Sequence, residues 1–188
     1  MTEYRMTLML VAGVLLSACA DAVQPSSSAE STEPMAKRAT ATGITITDLG
    51  SGRAEDIDDG GKIAGSRPSA SGQSHAFLWS PGSPRGSAGT FTDLGHLGGG
   101  AAQARGLNNQ GQVVGSSTTA SGQQTAFLWE AGTIHNLGIP GGTDIADAMD
   151  INDATSRRAA GGVISPIDRA LVWTVSGTGS AFQVTNLD

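Results

Sequence analysis

A chain of 188 residues, 38% of them hydrophobic, is long enough for one folded domain with a core of its own. Twenty-seven glycines against four Phe, three Trp and one Tyr leave Val, Ile, Leu and Ala to fill that core, and favour short strands and turns over long helices. A formal charge of -6, with Lys37-Arg38 and Arg157-Arg158 as the only adjacent basic pairs, excludes sequence-independent binding to nucleic acid or anionic lipid, which needs clustered cations.

The N-terminus places Arg5 before an apolar run from Leu8 to Leu16, followed by Ser17, Ala18 and Cys19. The run is about half of the roughly 20 residues a helix needs to cross a bilayer, so residues 1–18 read as a secretory signal. Leu16-Ser17-Ala18-Cys19 resembles the lipobox of bacterial lipoproteins. That resemblance implies cleavage between Ala18 and Cys19 and a lipid anchor on the Cys19 thiol, making the membrane a partner. An ordinary secretory signal cleaved near Ala18 or Ala20, with a secreted product, is the other reading. Cys19 is the sole cysteine, so no disulfide staples the chain. The resemblance also implies sorting by the residues after the cysteine. Ala20 precedes Asp21, one place off the usual inner-membrane retention signal, which points to the outer membrane or cell surface. Residues 19–43, rich in Ser, Thr, Ala and Pro without apolar periodicity, are expected to form a disordered tether.

A β domain is predicted over 44–188. Residues 54–79 align without a gap on 104–129: Ile57 matches Leu107, Gly65-Ser66 matches Gly115-Ser116, and ASGQSHAFLW at 70–79 matches ASGQQTAFLW at 120–129. A more divergent copy runs from Ala148 to Trp173, with a lengthened turn after Asn152-Asp153 and a shortened later loop. The three repeats span about 54–95, 102–138 and 145–188. Each closes on a related segment, Thr92-Asp93-Leu94-Gly95, His135-Asn136-Leu137-Gly138 and Thr185-Asn186-Leu187-Asp188. A surplus copy, Ile46-Thr47-Asp48-Leu49-Gly50, forms an extra strand at 44–50.

The second repeat shows the pattern best, with four short segments at 104–107, 112–117, 125–129 and 133–137 separated by Asn, Gln, Gly and Ser. Asp58-Asp59-Gly60-Gly61 and Asn108-Asn109-Gln110-Gly111 read as tight primed hairpin turns. The expected fold is all-β, built from antiparallel four-stranded meanders. Strand alternation makes Ile57, Phe77, Trp79, Leu94, Leu107, Phe127, Trp129, Leu137, Ile151, Leu171 and Trp173 the repeat core.

His75-Ala76-Phe77-Leu78-Trp79, the run from Gly106 to Ser116, and Thr-Asp-Leu-Gly before His96-Leu97-Gly98-Gly99 resemble the HAF-repeat family of predicted extracellular repeat proteins. The resemblance covers residues 44–188 and implies an exported, β-propeller-like repeat domain. The matching positions for His75 hold Thr125 and Arg169, so no function rests on a repeated histidine. Propellers close with 4 to 8 blades, and three blades do not close alone. Two chains forming a six-bladed ring, an open arc, or a threefold β-trefoil or β-prism all remain open to a sequence with three repeats.

No constellation of residues states a reaction, so no catalytic residue, metal ligand or cofactor is assigned. His75, His96 and His135 fall at different repeat positions without metal-ligand spacing. Asp56-Ile57-Asp58-Asp59-Gly60 has calcium-loop composition but lacks the twelfth-position glutamate, and reads as a turn. Gly98-Gly99-Gly100 lacks the context of a phosphate cradle. Glu55, Asp56, Asp144 and Asp147 are the candidate acid and base for a hydrolase of polysaccharide or peptidoglycan. The leading expectation is a non-enzymatic envelope module that binds a protein or glycan, or plays a structural part.

Overall fold

The computed structural model describes residues 38–41, 44–84, 86–138, 145–164, 169–176 and 183–185, all within a compact unit spanning Pro34–Asp188. The signal segment with Ala18 and Cys19, the tether up to residue 37, and Asp144 and Leu187 lie outside the described residues.

Every regular element among the described residues is a strand. A hairpin of β1 (Arg38–Ala41) and β2 (Ile44–Thr47) precedes three four-stranded antiparallel meanders. Sheet 1 is β3 (Arg53–Ile57), β4 (Ile63–Pro68), β5 (Ser74–Pro81) and β6 (Gly89–Asp93). Sheet 2 is β7 (Gly98–Leu107), β8 (Val113–Thr119), β9 (Gln124–Glu130) and β10 (Thr133–Gly138). Sheet 3 is β11 (Ile145–Ile151), β12 (Arg157–Ile164), β13 (Arg169–Ser176) and β14 (Gln183–Thr185). The fold class is thus the expected all-β array of antiparallel repeats. Two boundaries differ from the sequence reading. Arg38–Ala41, assigned to the tether, pairs with β2, and β7 begins at Gly98, ahead of the start at about 102 expected for the second repeat.

The repeat is preserved in register. Ile63 pairs with Trp79, Val113 with Trp129 and Ala159 with Trp173. In the third copy the first turn is longer, because Ile151 pairs with Ala159 where Ile57 pairs with Ile63. A bulge recurs in the first strand of every sheet, at Ala54/Asp56, Ala104/Gly106 and Ala148/Asp150. The bulge turns a carbonyl onto the facing strand, where Gly65, Gly115 and Gly161 stand. A Cβ at any of the three would overlap the carbonyl oxygen of Arg53, Gln103 or Asp147 respectively. The shared glycine is therefore a close-approach requirement.

The first turn of sheets 1 and 2 is not the two-residue primed form expected. Gly61 N–H donates to Asp58 O and Asp58 N–H to Lys62 O, with positive φ confined to Gly61 (85°). Asn108–Gln112 repeats this, with Gly111 at 77°. Both are longer loops with one left-handed glycine beside the bulged closing pair. A two-residue primed turn does occur between β9 and β10, where Ala131 (48°) and Gly132 (85°) both have positive φ.

Packing proceeds sheet on sheet in chain order. One core joins Ala64, Ala76, Leu78 and Leu94 of sheet 1 to Ala102, Ala104, Leu107, Val113 and Phe127 of sheet 2. The second joins Val114, Ala126, Leu128 and Leu137 to Ala146, Ala148, Ile151, Leu171 and Trp173 of sheet 3. Two separate cores between consecutive sheets match blades of an open arc rather than the single shared core of a trefoil or prism. Each sheet thus has a leading face, carrying the Phe-x-Trp or Leu-x-Trp pair, and a trailing face, carrying Ala and Leu. Leading packs on the trailing face of the sheet before.

Most of the predicted core residues occupy these faces. Phe77, Trp79, Leu94, Leu107, Phe127, Leu137, Ile151, Leu171 and Trp173 are buried, and Trp129 packs half-buried against the first core. Ile57 is the exception and is 62% exposed. Its counterparts Leu107 and Ile151 are covered by a preceding sheet, and sheet 1 has none.

Candidate functional site

The first turns of the three sheets converge at one end of the stack. Asp59 N–H donates to Asn109 Oδ1 (2.9 Å), and Asn109 N–H donates to Asp153 Oδ1 (2.7 Å). Asn109 Nδ2 donates both to Asp59 Oδ2 (2.9 Å) and to Asp153 Oδ2 (3.0 Å). Asn109 therefore separates two carboxylates and hydrogen-bonds each. Asp56 Oδ2 accepts Leu107 N–H across the first junction (2.7 Å), and Asn108 Nδ2 donates to Asn152 O across the second (3.0 Å). The Asx residues that suggested a calcium loop are thus a ladder linking sheets, and no group of three or more His, Cys, Asp or Glu arranged for a metal occurs among the described residues.

Nearer the middle, Arg105 on β7 lies between two carboxylates named as hydrolase candidates. Its Nε donates to Asp147 Oδ2 at 3.1 Å, and its Nη1 is 3.8 Å from Glu55 Oε1. Arg53 pairs with the same Glu55 oxygen at 3.1 Å. Asp147 is buried, and its Oδ1 makes no full hydrogen bond, although the Ser116 hydroxyl favours its charge. Burial pushes the Asp147 carboxyl above its ordinary value against the pull of Arg105 and Ser116. Asp56, the third candidate, is taken up by Ile57 N–H and Leu107 N–H.

The histidines do not share repeat positions, yet two of them meet. β6 pairs with β5, and the corner after Asp93 returns His96 to within 6.1 Å of the His75 ring. His75 Nδ1 donates to Asp93 Oδ2 (2.8 Å), while His96 Nδ1 accepts the N–H groups of Gly98 and Gly100. Burial raises the Asp93 carboxyl, but the His75 hydrogen bond, the Gly95 N–H and the two histidine charges together hold it below its ordinary value. His75 and Asp93 line an open cleft of about 580 Å³ with Arg67, Ser71 and Phe91. His135 is elsewhere, 3.9 Å from Glu130. Glu130 also receives Gln112 Nε2 and pairs with Arg157, joining sheets 2 and 3. Spacing alone gave no sign of these pairings, because each depends on strand register or on contact between sheets.

A second cleft, of about 510 Å³, opens over the leading face of sheet 1, lined by Ile46, Leu49, Ala54, Ile63, Phe77 and Phe91. Phe77 and Phe91 meet edge to face at 5.0 Å, and Arg67 lies over the Phe91 ring at 4.9 Å. Comparison with protein-family models, curated proteins and solved structures finds no match to this chain.

The tryptophans serve packing rather than an exposed stacking platform. Trp173 is fully buried, with its Nε1 unpartnered, and Trp79 is 5% exposed.

Proposed function

We propose that this chain is a bacterial envelope lipoprotein whose β-repeat module binds a macromolecular partner, or builds an assembly, without catalysing a reaction. In this reading residues 1–18 are removed, Cys19 carries the lipid, and residues 20–37 are the tether to the outer membrane. The observation that carries the non-catalytic part is the position of Arg105, which lies against Glu55 and Asp147 at once. A guanidinium standing against both carboxylates takes up the space between them in which a scissile bond and its water would have to sit. The surfaces left for work are then the sheet faces and loops. Metabolic labelling with palmitate in a Gram-negative host tests the anchor: the wild-type chain takes up label and fractionates with membranes, and Cys19→Ala does neither. Equal labelling of both overturns it. Glycan turnover by the purified chain that Glu55→Gln or Asp147→Asn abolishes would overturn the non-catalytic part.

A further inference from the structure

Both junctions in the chain are built from the same halves, and at the two ends of the stack those halves are exposed at their margins, while Phe77 and Trp79 at the centre of the leading face are each 5% exposed. At the leading end Ile57 is 62% exposed, against 6% for Leu107 and 5% for Ile151 at the same position. Arg67 is exposed there, where its counterpart Ser117 is buried and accepts Leu97 N–H. At the trailing end Ala160 and Ala170 are exposed and Val172 is half-buried. Their counterparts Ala64, Ala76 and Leu78, and Val114, Ala126 and Leu128, are all buried against the next sheet.

The turn ladder is interrupted at the same two places. Asp59 N–H and Asn109 N–H each donate to the next sheet's Asx side chain, whereas Asp153 N–H has no acceptor among the described residues. Asn109 Oδ1 and Asp153 Oδ1 each accept from the sheet before, whereas Asp59 Oδ1 has no donor among the described residues. One end offers the donor and the other the acceptor.

From this continuity with the junctions already built, we infer that the partner is a second copy of this chain, docked head to tail with its third sheet on the first sheet's leading face. This rests on the reading that the module works through its sheet faces. A heterologous contact of this kind either closes into a ring or runs on as a filament. Two copies supply six sheets, within the range of about 4 to 8 that closes a propeller, so the contact closes at a dimer with two equal junctions. β2 has a place in it. Gly50 N–H donates to Asp48 Oδ1 as Gly95 N–H does to Asp93 and Gly138 N–H to Asn136, the turn that follows a fourth strand. β2 is thus the fourth strand for a sheet ahead of sheet 1, and in the docked pair it replaces the partner's three-residue β14.

The test is the protein mass of the full-length chain in mild detergent, by light scattering across roughly a hundredfold range of concentration. The expected mass is twice that of the chain. Ala170→Glu on the trailing face and Ile57→Asp on the leading face both change exposed residues, and each should give the single-chain mass while melting cooperatively at the temperature of wild type diluted to single chains. Mixing the two variants should restore the double mass, because one junction of a mixed pair is intact; a face-to-face dimer would not recover. A wild-type chain of single mass, a species larger than the dimer, or double mass surviving Ala170→Glu overturns the inference. Palmitate labelling of Cys19 is unaffected by these outcomes, so the anchored-module reading stands or falls separately.

Discussion

Ile57 and Leu107 hold the same position in consecutive sheets, yet one is 62% exposed and the other 6%. The difference comes from the neighbouring sheet and not from the side chain. Leu107→Ala opens a cavity in the first core and should lower stability by about 2–5 kcal/mol. Ile57→Ala, measured in urea at concentrations where the chain is monomeric, should change it by less than about 0.5 kcal/mol. Similar losses for both would place a cover over Ile57 that these packing relationships lack.

Gly115 gives a sharper test of the repeat. The bulge in β7 aims the Gln103 carbonyl at the space a Cβ would take, and Val113 and Val114, which precede Gly115 and face the two different cores, are fully buried. The strand has little room to retreat. Gly115→Ala should cost about 1–3 kcal/mol, the usual penalty of overpacking, and Gly65→Ala and Gly161→Ala should behave alike. By contrast Gly122→Ala meets open space but must hold a φ of 83°, so its penalty is backbone strain of about 1 kcal/mol. Urea midpoints of the set would separate the two causes.

The three four-stranded meanders, their order and nearly all core positions were legible in the sequence because they depend on alternation and on a repeat that returns Phe or Leu and Trp to one register; β1 lies outside the repeat and was not. Ile57 was misread because a periodic pattern assigns a face and says nothing about whether a neighbour covers it. The primed turns were misread for a related reason: Asp, Asn and Gly suit several loop forms, and only the hydrogen bonds of Asp58 and Asn108 select among them. Arg105 between Glu55 and Asp147, and His75 beside His96, depend on the packing of separate strands. No linear spacing encodes them.

Ala131 is the only non-glycine residue with positive φ among the described residues. It sits at the first central position of the β9–β10 turn, where an alanine Cβ crowds the backbone at a cost of about 1–2 kcal/mol. Ala131→Asn or Ala131→Gly should raise stability by roughly 0.5–1 kcal/mol, read as a higher urea midpoint with an unchanged slope. A lower midpoint for both would mean that the turn is not the primed form.

Asp147 and Asp93 should respond to acid with opposite signs. The folded-state value of Asp147 lies above 3.8, so the folded chain binds its proton first. Its charge opposes folding at neutral pH, and the penalty fades as pH falls toward 3.8. Asp93 lies below 3.8, so its contribution is present above that value and is lost as pH falls through the lowered one. Melting curves of wild type against Asp147→Asn should shift in favour of wild type as pH drops toward 3.8. Against Asp93→Asn the wild-type advantage should hold down to 3.8 and vanish below it. Asp93 is largely exposed, so the second effect is on the order of 0.2–1 kcal/mol after solvent screening.

Asn109 links all three turns through one amide. Asn109→Ala removes the acceptor for Asp59 N–H and both Nδ2 hydrogen bonds, and on this exposed surface should cost roughly 1 kcal/mol. Asn109→Asp keeps an acceptor for Asp59 N–H but turns two attractions into repulsions, since the new carboxylate faces Asp59 and Asp153 within hydrogen-bonding distance. It should therefore be the worse of the two at low salt. Salt screens like charges on a surface, so the gap should narrow between about 0.01 and 1 M, while the loss in Asn109→Ala stays nearly constant. A salt-insensitive Asn109→Asp variant would show that the turns separate when their shared amide is lost, and that the ladder follows the sheet packing instead of helping to set it.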